Sequence, residues 1–590
     1  MLMPRQREPL HVASATCLAS TGRGHVISCC LRGRFVVRGT TAVAATLILV
    51  LSVPALQAQV LYTLESPFQE QDGWFGYSVS GAGNVNSDFY DDLIVGAPAE
   101  TYLYPEAGSA YLYTGATGAW LRTLLSPNAQ DHGWFGQAVS GAGDVNSDGY
   151  DDVVVGASLE DDVYTQAGRA YIFNGQTGGL IYSLYSPNEG VCGRFGWSVS
   201  GAGDVNSDGY DDVVIGAPFE SPPGSPYWDM GRAYVFSGQT SLPLYTLIPQ
   251  ATGDSLWFGF SVSGAGDVNS DGYDDVIVGA RGADNAVFNS GAAYVFSGQT
   301  GSLLHTLVSP YQEIYGRFGK SVSGAGDVNS DGYDDVVVGA PAETYVYNDA
   351  GSAYVFNGLT GGLLRTLLSP NPEFGGRFGE SVSGAGDVNL DGFDDVVVGA
   401  AQEDPGTSPE HAGRAYIFSG QNWALLKTLA SPNEEVQGHF GYAVSCAGDV
   451  NSSGYPEVIV GAYGESPGTA PSEAGRAYVY SPTPGTITLS GYLNGQQLVL
   501  YWSPCIGDVY AYWVYGAPNS FYFQPGILPP YTHRLALLGP GATGWQTSSG
   551  IGNPNAQWSY RLIAVDITQT AVIGVSNRFG EHDFSTALTD

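Results

Sequence analysis

The stretch Phe75-Gly76-Tyr77-Ser78-Val79-Ser80-Gly81-Ala82-Gly83-Asn84-Val85-Asn86-Ser87-Asp88-Phe89-Tyr90-Asp91-Asp92 decides the fold, because the chain repeats it. The Phe-Gly pair returns at Phe135, Phe195, Phe258, Phe318, Phe378 and Phe440, at spacings of 60, 60, 63, 60, 60 and 62 residues. Self-similarity at a fixed period means one supersecondary unit used many times. The units read Phe-Gly, an alternating Ser-Val-Ser run, Gly-Ala-Gly, an acidic loop, an apolar Val-Val-Val-Gly-Ala run, a variable loop, Ala-Tyr-Val-Phe, and, in all but the seventh, a Thr-Leu-Leu-Ser-Pro type segment.

Within one unit, residues 77–82, 93–97, 110–113 and 121–125 are short, rich in β-formers, and bounded by Gly, Pro, Asn or Asp, which predicts four strands. No segment sustains an apolar period of 3.6 over helical length, so helical solenoids are excluded. A four-stranded unit of this size cannot bury both faces alone; radial stacking of seven such units predicts an all-β, seven-bladed β-propeller over residues 61–480. The segment Leu61-Tyr62-Thr63-Leu64-Glu65-Ser66-Pro67 matches a fourth strand yet precedes the first Phe-Gly, while the seventh unit ends near Tyr480 without one. The first strand is therefore expected to complete the last blade, which protects two sheet edges at once.

Phe75-Gly76 with Gly96-Ala97-Pro98, repeated as Phe195-Gly196 with Gly216-Ala217-Pro218 and Phe318-Gly319 with Gly339-Ala340-Pro341, resembles the FG-GAP repeats of the integrin α-subunit β-propeller and its bacterial secreted relatives. The resemblance covers roughly residues 61–480. It implies a seven-bladed propeller with calcium in its blade loops, in a family that includes adhesion receptors as well as propellers attached to phospholipases and lectins.

The acidic loops carry the chemistry. Five are intact: Asp144, Asn146, Asp148, Tyr150 and Asp152; Asp204, Asn206, Asp208, Tyr210 and Asp212; Asp267, Asn269, Asp271, Tyr273 and Asp275; Asp327, Asn329, Asp331, Tyr333 and Asp335; Asp387, Asn389, Asp391, Phe393 and Asp395. They occupy loop positions 1, 3, 5, 7 and 9. The first loop, Asn84, Asn86, Asp88, Tyr90 and Asp92, lacks the opening Asp and has Phe89 for Gly; the last, Asp449, Asn451, Ser453, Tyr455 and Glu457, has Ser at position 5 and Pro456 at position 8. Oxygen donors at alternate positions, a backbone carbonyl at position 7 and a closing carboxylate suit a hard cation that takes six to eight oxygens. Asn, Asp and Gly also favour turns with no metal at all. Like carboxylates gathered in nine residues repel, however, and the expectation is five to seven structural Ca2+ ions.

The variable segments fall on the face opposite these loops, and Tyr102, Tyr104, Tyr164, Tyr227, Trp228, Tyr345 and Tyr347 in them are the candidate ligand contacts. Tyr and Trp supply contact area at low entropic cost, although some could instead cover the central channel. The expected partner is a protein or glycan bound on that face.

The chain has 590 residues, 57 Asp+Glu against 21 Lys+Arg, and a formal net charge of −36. That balance repels the phosphate backbone and excludes nucleic acid as a partner. Residues 1–58 differ: arginines, then an apolar run from Ala42 to Leu56 and Ala58 at a cleavage point, the pattern of an export signal with a long N-terminal region. The run is shorter than the roughly 20 residues that span a bilayer, so no transmembrane segment is expected after cleavage and the product is secreted or held at the cell surface. Cys192, Cys446 and Cys505 remain, too few and too scattered for a disulfide framework. Residues 485–585 alternate as β-strands do, and Trp502 with the Tyr560–Asp566 hairpin weakly resembles a fibronectin type III sandwich. No HExxH pair or Cys-His grouping appears, and Gly76-Tyr77-Ser78-Val79-Ser80-Gly81, which superficially suggests a serine elbow, occurs in strand context in every unit. A binding or adhesion protein is expected rather than an enzyme; a lectin-like propeller and an extracellular hydrolase with a carboxylate pair are the alternatives.

Overall fold

A strand buried on both faces reads as an unbroken apolar run, and the second strand of each unit, Asp92–Ala97 in the first, is such a run. The computed structural model describes residues 59–481, apart from 222–227, 251–252, 286, 405–408 and 469–471, and the backbone of strands between 489 and 580. Among the described residues there is no helix. Seven four-stranded antiparallel sheets follow one another; in the first, Ser78–Gly83, Asp92–Ala97, Ser109–Tyr113 and Trp120–Leu124 pair in sequence order. The strands start and stop within a residue of the sequence expectation. Contacts gather Gln57–Thr483 into one unit.

Each apolar core lies between two blades. Val85, Ile94, Leu112 and Leu124 of the first unit pack with Phe135, Val139, Val155 and Tyr171 of the second. The ring closes in the same way: Leu93, Val95 and Tyr111 of the first unit share a core with Val450, Ile459 and Val479 of the seventh.

The Phe-Gly pair is what sets neighbouring blades in register. Phe135 is fully buried. Its N–H donates to Ala107 O at 3.0 Å, and Gly108 and Phe135 form a parallel bridge between units. Gly136 has φ +87°, and a Cβ there would lie 2.2 Å from Ser109 O; a Cβ on Gly96 would lie 2.0 Å from Gly136 O. Both glycines are fixed by this backbone approach, the first also by its left-handed conformation.

The N-terminal strand closes the ring as the sequence predicts. Gln59–Leu64 pairs antiparallel with Arg476–Ser481, completing the seventh sheet, and Glu65 accepts from Arg476 Nε at 2.9 Å.

A second repeated device lies inside the blades. The hydroxyl of Tyr171 donates to the buried Glu160 carboxylate at 2.5 Å, and Tyr111–Glu100, Tyr234–Glu220, Tyr354–Glu343, Tyr416–Glu403 and Tyr478–Glu465 repeat the pair. Burial pushes the Glu100, Glu220, Glu403 and Glu465 carboxyls up to about 7. The fourth unit has Ala283 where the others have Glu, beside Tyr294.

Past the propeller, Leu489–Asn494, Gln497–Trp502 and Gly544–Thr547 form a three-stranded sheet. His533–Leu538, Ala511–Pro518, Trp558–Val565, Val572–Val575 and Phe579–Gly580 form a second sheet, with Ile563 opposite Val575. The side chains here, Trp502 included, lie outside the described residues, as do the export signal at 1–58 and Cys505. Among the described residues Cys192 and Cys446 are free, and no helix is long and apolar enough to cross a membrane.

Two outcomes are expected. Leu64→Ala, at a side chain 1% exposed in the closing strand, costs about 2–5 kcal/mol in denaturant unfolding; a change below about 0.5 kcal/mol would mean that the strand is not needed for closure. Tyr171→Phe removes the donor to Glu160 and costs about 1–3 kcal/mol at pH 7.5, with less lost as pH falls and the Glu160 carboxyl, whose pKa burial raises, takes up its proton.

Candidate metal loops and the variable face

Because the four strands of a blade alternate in direction, the loops between first and second strands lie on one face of the disc, and those between second and third lie on the other. All seven acidic loops share the first face. In the second unit the Asp144 carboxylate accepts the N–H groups of Asp148 at 3.0 Å and Gly149 at 2.8 Å, and Asp148 accepts that of Tyr150 at 3.1 Å. Asn146 donates through Nδ2 to Asp152 at 2.8 Å, and Asp152 also accepts Gly175 N–H at 3.0 Å. The units opening at Asp204, Asp267 and Asp327 repeat these bonds, and so does the sixth, where Asp387, Asn389, Asp391, Phe393 and Asp395 hold the same places.

The two divergent loops behave differently. In the first, Asn86 Oδ1 rather than residue 84 takes the N–H of Asp88, at 2.9 Å, while Asp88 still accepts Tyr90 N–H and Asp92 accepts Val85 and Gly115 N–H. In the last, Asp449 accepts from Ser453 and Gly454, Ser453 Oγ accepts Tyr455 N–H, and Asn451 donates to Glu457 at 2.5 Å.

The structure thus brings positions 1, 3, 5 and 9 together within each intact loop, with position 7 contributing its backbone. The aromatic rings at position 7 differ in setting: Tyr150 is half-buried and Tyr455 buried. Among the described residues no three His, Cys, Asp or Glu side chains are gathered as an ion would hold them; the carboxylates at positions 1 and 5 are turned onto loop N–H groups. Two features still fit a cation. The side-chain carbonyl oxygens of Asn84 and Asn389 are buried without a hydrogen-bond partner. The ninth-position carboxylates are buried with other acids beside them, and their pKa values rise: Asp92, Asp152, Asp212, Asp275, Asp335 and Glu457 to about 7, and Asp395 to about 8. For Asp152 burial is the chief cause, and the charges of Asp148 and Asp144 add to it against the Gly175 hydrogen bond. These residues could hold a hard cation through oxygen alone.

The eighth loop position has a role that sequence reasoning missed. Asp151 reaches back to the preceding unit and accepts Asn84 N–H at 2.6 Å; Asp211 does so for Asp144, Asp274 for Asp204, Asp334 for Asp267, Asp394 for Asp327, and Asp91 for Asp449. The seventh unit carries Pro456 there, beside Gly386. The Asp-Asp doublet and its single replacement by Pro-Glu were the available signal.

On the other face, Tyr102, Tyr104, Tyr164, Trp228, Tyr345 and Tyr347 are all exposed, Trp228 at 76%. Tyr227 lies outside the described residues. Tyr345 stands edge-on to Tyr311, with ring centroids 6.4 Å apart. A different set of aromatics closes over the channel: Trp74 stacks on Tyr77 at 6.0 Å, Tyr77 meets Tyr442 at 5.0 Å, and Tyr442 meets Tyr463 at 4.7 Å. These residues were not singled out in the sequence. Their signal was variation: Tyr77, Gln137, Trp197, Phe260, Lys320, Glu380 and Tyr442 occupy the one position of the first strand that differs in every unit but two.

The geometry defines a seven-bladed propeller with a ring of acidic loops on one face and divergent aromatic loops on the other. The FG-GAP repeat family matches residues 75–113, 135–173, 195–236, 258–296, 318–356 and 378–418, six of the seven blades, so the chain carries FG-GAP repeats. Integrin α subunits are among its homologues. Integrin alpha-5 of Xenopus laevis is 31% identical over 266 residues, 43% of this chain and 24% of that protein. Human integrin alpha-IIb is 34% identical over 229 residues, 36% and 20% of the two chains, and chicken integrin alpha-8 is 28% identical over 351, 53% and 30%. The chain spans about a quarter of the length of these relatives.

The ninth-position carboxyls hold their protons more tightly when folded than carboxyls of the unfolded chain, which titrate near pH 4. Between about pH 4 and 7 the folded state therefore binds more protons, and stability falls as pH rises through that window. In metal-free buffer the melting temperature is expected to drop from pH 5 to pH 7.5, and Asp152→Asn to reduce the drop. A melting temperature that climbs across the window would overturn this assignment.

Proposed function

We propose that the chain is an exported, calcium-stabilised recognition or adhesion protein that binds a protein or glycan ligand on the face opposite its acidic loops, and that it is not an enzyme. The observation that carries this reading is the set of exposed aromatics, Tyr102, Tyr104, Tyr164, Trp228, Tyr345 and Tyr347, on loops held by a rigid ring of buried strands. Divergent loops on a constant scaffold are how such folds carry binding. The similarity to integrin α subunits supports adhesion, and the acidic propeller, preceded by an apolar stretch at Ala42–Leu56, suits an extracellular setting.

Calcium is the ion we assign to the loops that open at residues 84, 144, 204, 267, 327, 387 and 449, five to seven ions in all. The support is an all-oxygen donor set, carboxylates whose pKa is raised by burial and then by one another's charge, and asparagine oxygens left unspent. When bound, the ion would neutralise the clustered carboxylates. The loop residues position the turn, and Asp151 and its counterparts tie each loop to its neighbour.

At affinities usual for extracellular sites, millimolar calcium would add roughly 0.4–1.4 kcal/mol per ion. Unfolding with 1 mM calcium is therefore expected several degrees above unfolding with excess chelator, with five to seven ions counted per chain; no shift and no bound ion would refute the calcium assignment. Binding is tested on a panel of immobilised extracellular proteins and of neutral and acidic glycans. Trp228→Ala and Tyr345→Ala are expected to weaken capture by about tenfold or more at unchanged melting temperature. Capture unaffected by both would place the ligand elsewhere.

A further inference from the structure

The mouth of the central channel, on the variable face, has the opposite charge from the rest of the molecule. Residues 61–483 contain twelve Lys and Arg, and four of them, Arg281, Arg317, Lys320 and Arg377, line one cavity of about 290 Å³. Glu380 is the one carboxylate in that lining, and it is committed to Lys320 at 3.0 Å. Among the described residues no carboxylate lies within ion-pair distance of Arg281, Arg317 or Arg377.

Arg281 is held in place by packing. The Arg281 guanidinium lies 3.9 Å from the Phe260 ring centroid and 4.6 Å from that of Trp257, and its Nε is buried without a hydrogen-bond partner. Burial, followed by the charge of Arg317, lowers its pKa to about 10. Burial also raises the pKa of Glu380, but Lys320, Arg377 and Arg317 outweigh it and leave the carboxyl below its usual range. A second cavity of about 430 Å³ shares Arg317, Arg377 and Glu380 with the first and adds the apolar side chains Ile314, Tyr315 and Phe374 together with the acids Glu313 and Asp349.

We propose that this mouth is a binding site for a carboxylate, held by Arg281, Arg317 and Arg377, with the remainder of the ligand lying along Ile314, Tyr315 and Phe374. Guanidinium groups bind carboxylate oxygens bidentately. Here one anion would relieve the repulsion among three unpaired cations and satisfy the buried Nε. The net charge of −36 opposes long polyanions at a distance, which favours a ligand with an isolated acid: an Asp or Glu side chain of a peptide, or the uronate of a glycan. The inference deepens the recognition reading above and rests on it.

Calorimetric titration of the full chain, in 1 mM calcium, with capped Gly-Asp-Gly-Tyr and its Asn counterpart, and with a glucuronate disaccharide and its methyl ester, tests the site. The parent is expected to bind at least one acid and to bind the blocked partner about tenfold or more weakly; whichever acid binds identifies the source. Arg317→Ala and Arg377→Ala should each weaken binding about tenfold or more, whereas Arg365→Ala, which removes the same charge from an exposed outer strand, should not. Arg281→Ala could disturb Phe260 and Trp257, so Arg317→Lys, which keeps charge and loses the bidentate fork, serves as the second variant and should bind more weakly than the parent. The proposal is overturned if no acid binds, if blocked probes bind equally, if the Arg317 and Arg377 variants bind as the parent does, or if sulfate competes as well as the acid. Should surface capture persist and still depend on Trp228 while these titrations fail, the anion site falls and the recognition reading stands.

Discussion

The whole ring depends on one close approach, that of each Phe-Gly backbone to the blade before it. Gly136 O sits where a side chain on Gly96 would have to be, and Ser109 O where one on Gly136 would be. With Phe135 buried and bonded to Ala107 O, each blade has one permitted position against its neighbour. A rotation repeated at every interface must close after a whole number of blades, and closure by Gln59–Leu64 on Arg476–Ser481 leaves no free edge at the seam. The cost of ordering some four hundred residues is met by cores that belong to pairs of blades, as the cluster joining Val79 and Tyr111 to Ile459 and Val479 illustrates.

On the acidic face the same neighbour-to-neighbour logic is carried by charge. Asp151, Asp211, Asp274, Asp334, Asp394 and Asp91 each cap a loop in the preceding unit. The arrangement concentrates carboxylates beside the ninth-position acids, whose pKa is raised first by burial and then by these neighbouring charges. The seventh blade, with Pro456 and Glu457, gives up the cap and lengthens the acid by one methylene. It is the blade completed by a strand from the other end of the propeller.

What the sequence made legible is what repeats. Four strands per unit, seven units and the strand that closes the ring follow from spacing and composition alone, because each is dictated by a constraint identical in every blade. The loop residues were likewise legible as a group, but not the division of labour within the Asp-Asp doublet: two adjacent carboxylates face different blades, and only three-dimensional proximity across about 67 residues separates Asp151, which serves Asn84, from Asp152, which serves its own loop. The buried Glu–Tyr pairs escaped notice because a glutamate at the edge of a variable loop reads as solvated surface until Tyr171 is seen to reach Glu160. The exposed aromatics at Tyr102, Tyr164 and Tyr345 were found, while those that cover the channel were not.

The channel residues show why departures from the repeat carry the chemistry. Seven identical blades would present a sevenfold symmetric mouth, which would offer a ligand that lacks that symmetry seven equivalent poses and no preferred one. The scaffold frees only a few places for variation: the residue before Phe, the second after it, and the one following Gly-Ala. At these places the fourth to sixth units supply Arg281, Arg317, Lys320, Arg377 and Glu380, and the seventh, first and second supply His439, Tyr442, Tyr463, Trp74, Tyr77 and Trp134. One arc of the mouth, from the fourth to the sixth unit, therefore gathers four cations, and the arc from the seventh to the second is aromatic, on a backbone that hardly differs from blade to blade. Because the Phe-Gly contact fixes that backbone, each substitution at the rim changes what the mouth binds without changing how the ring closes.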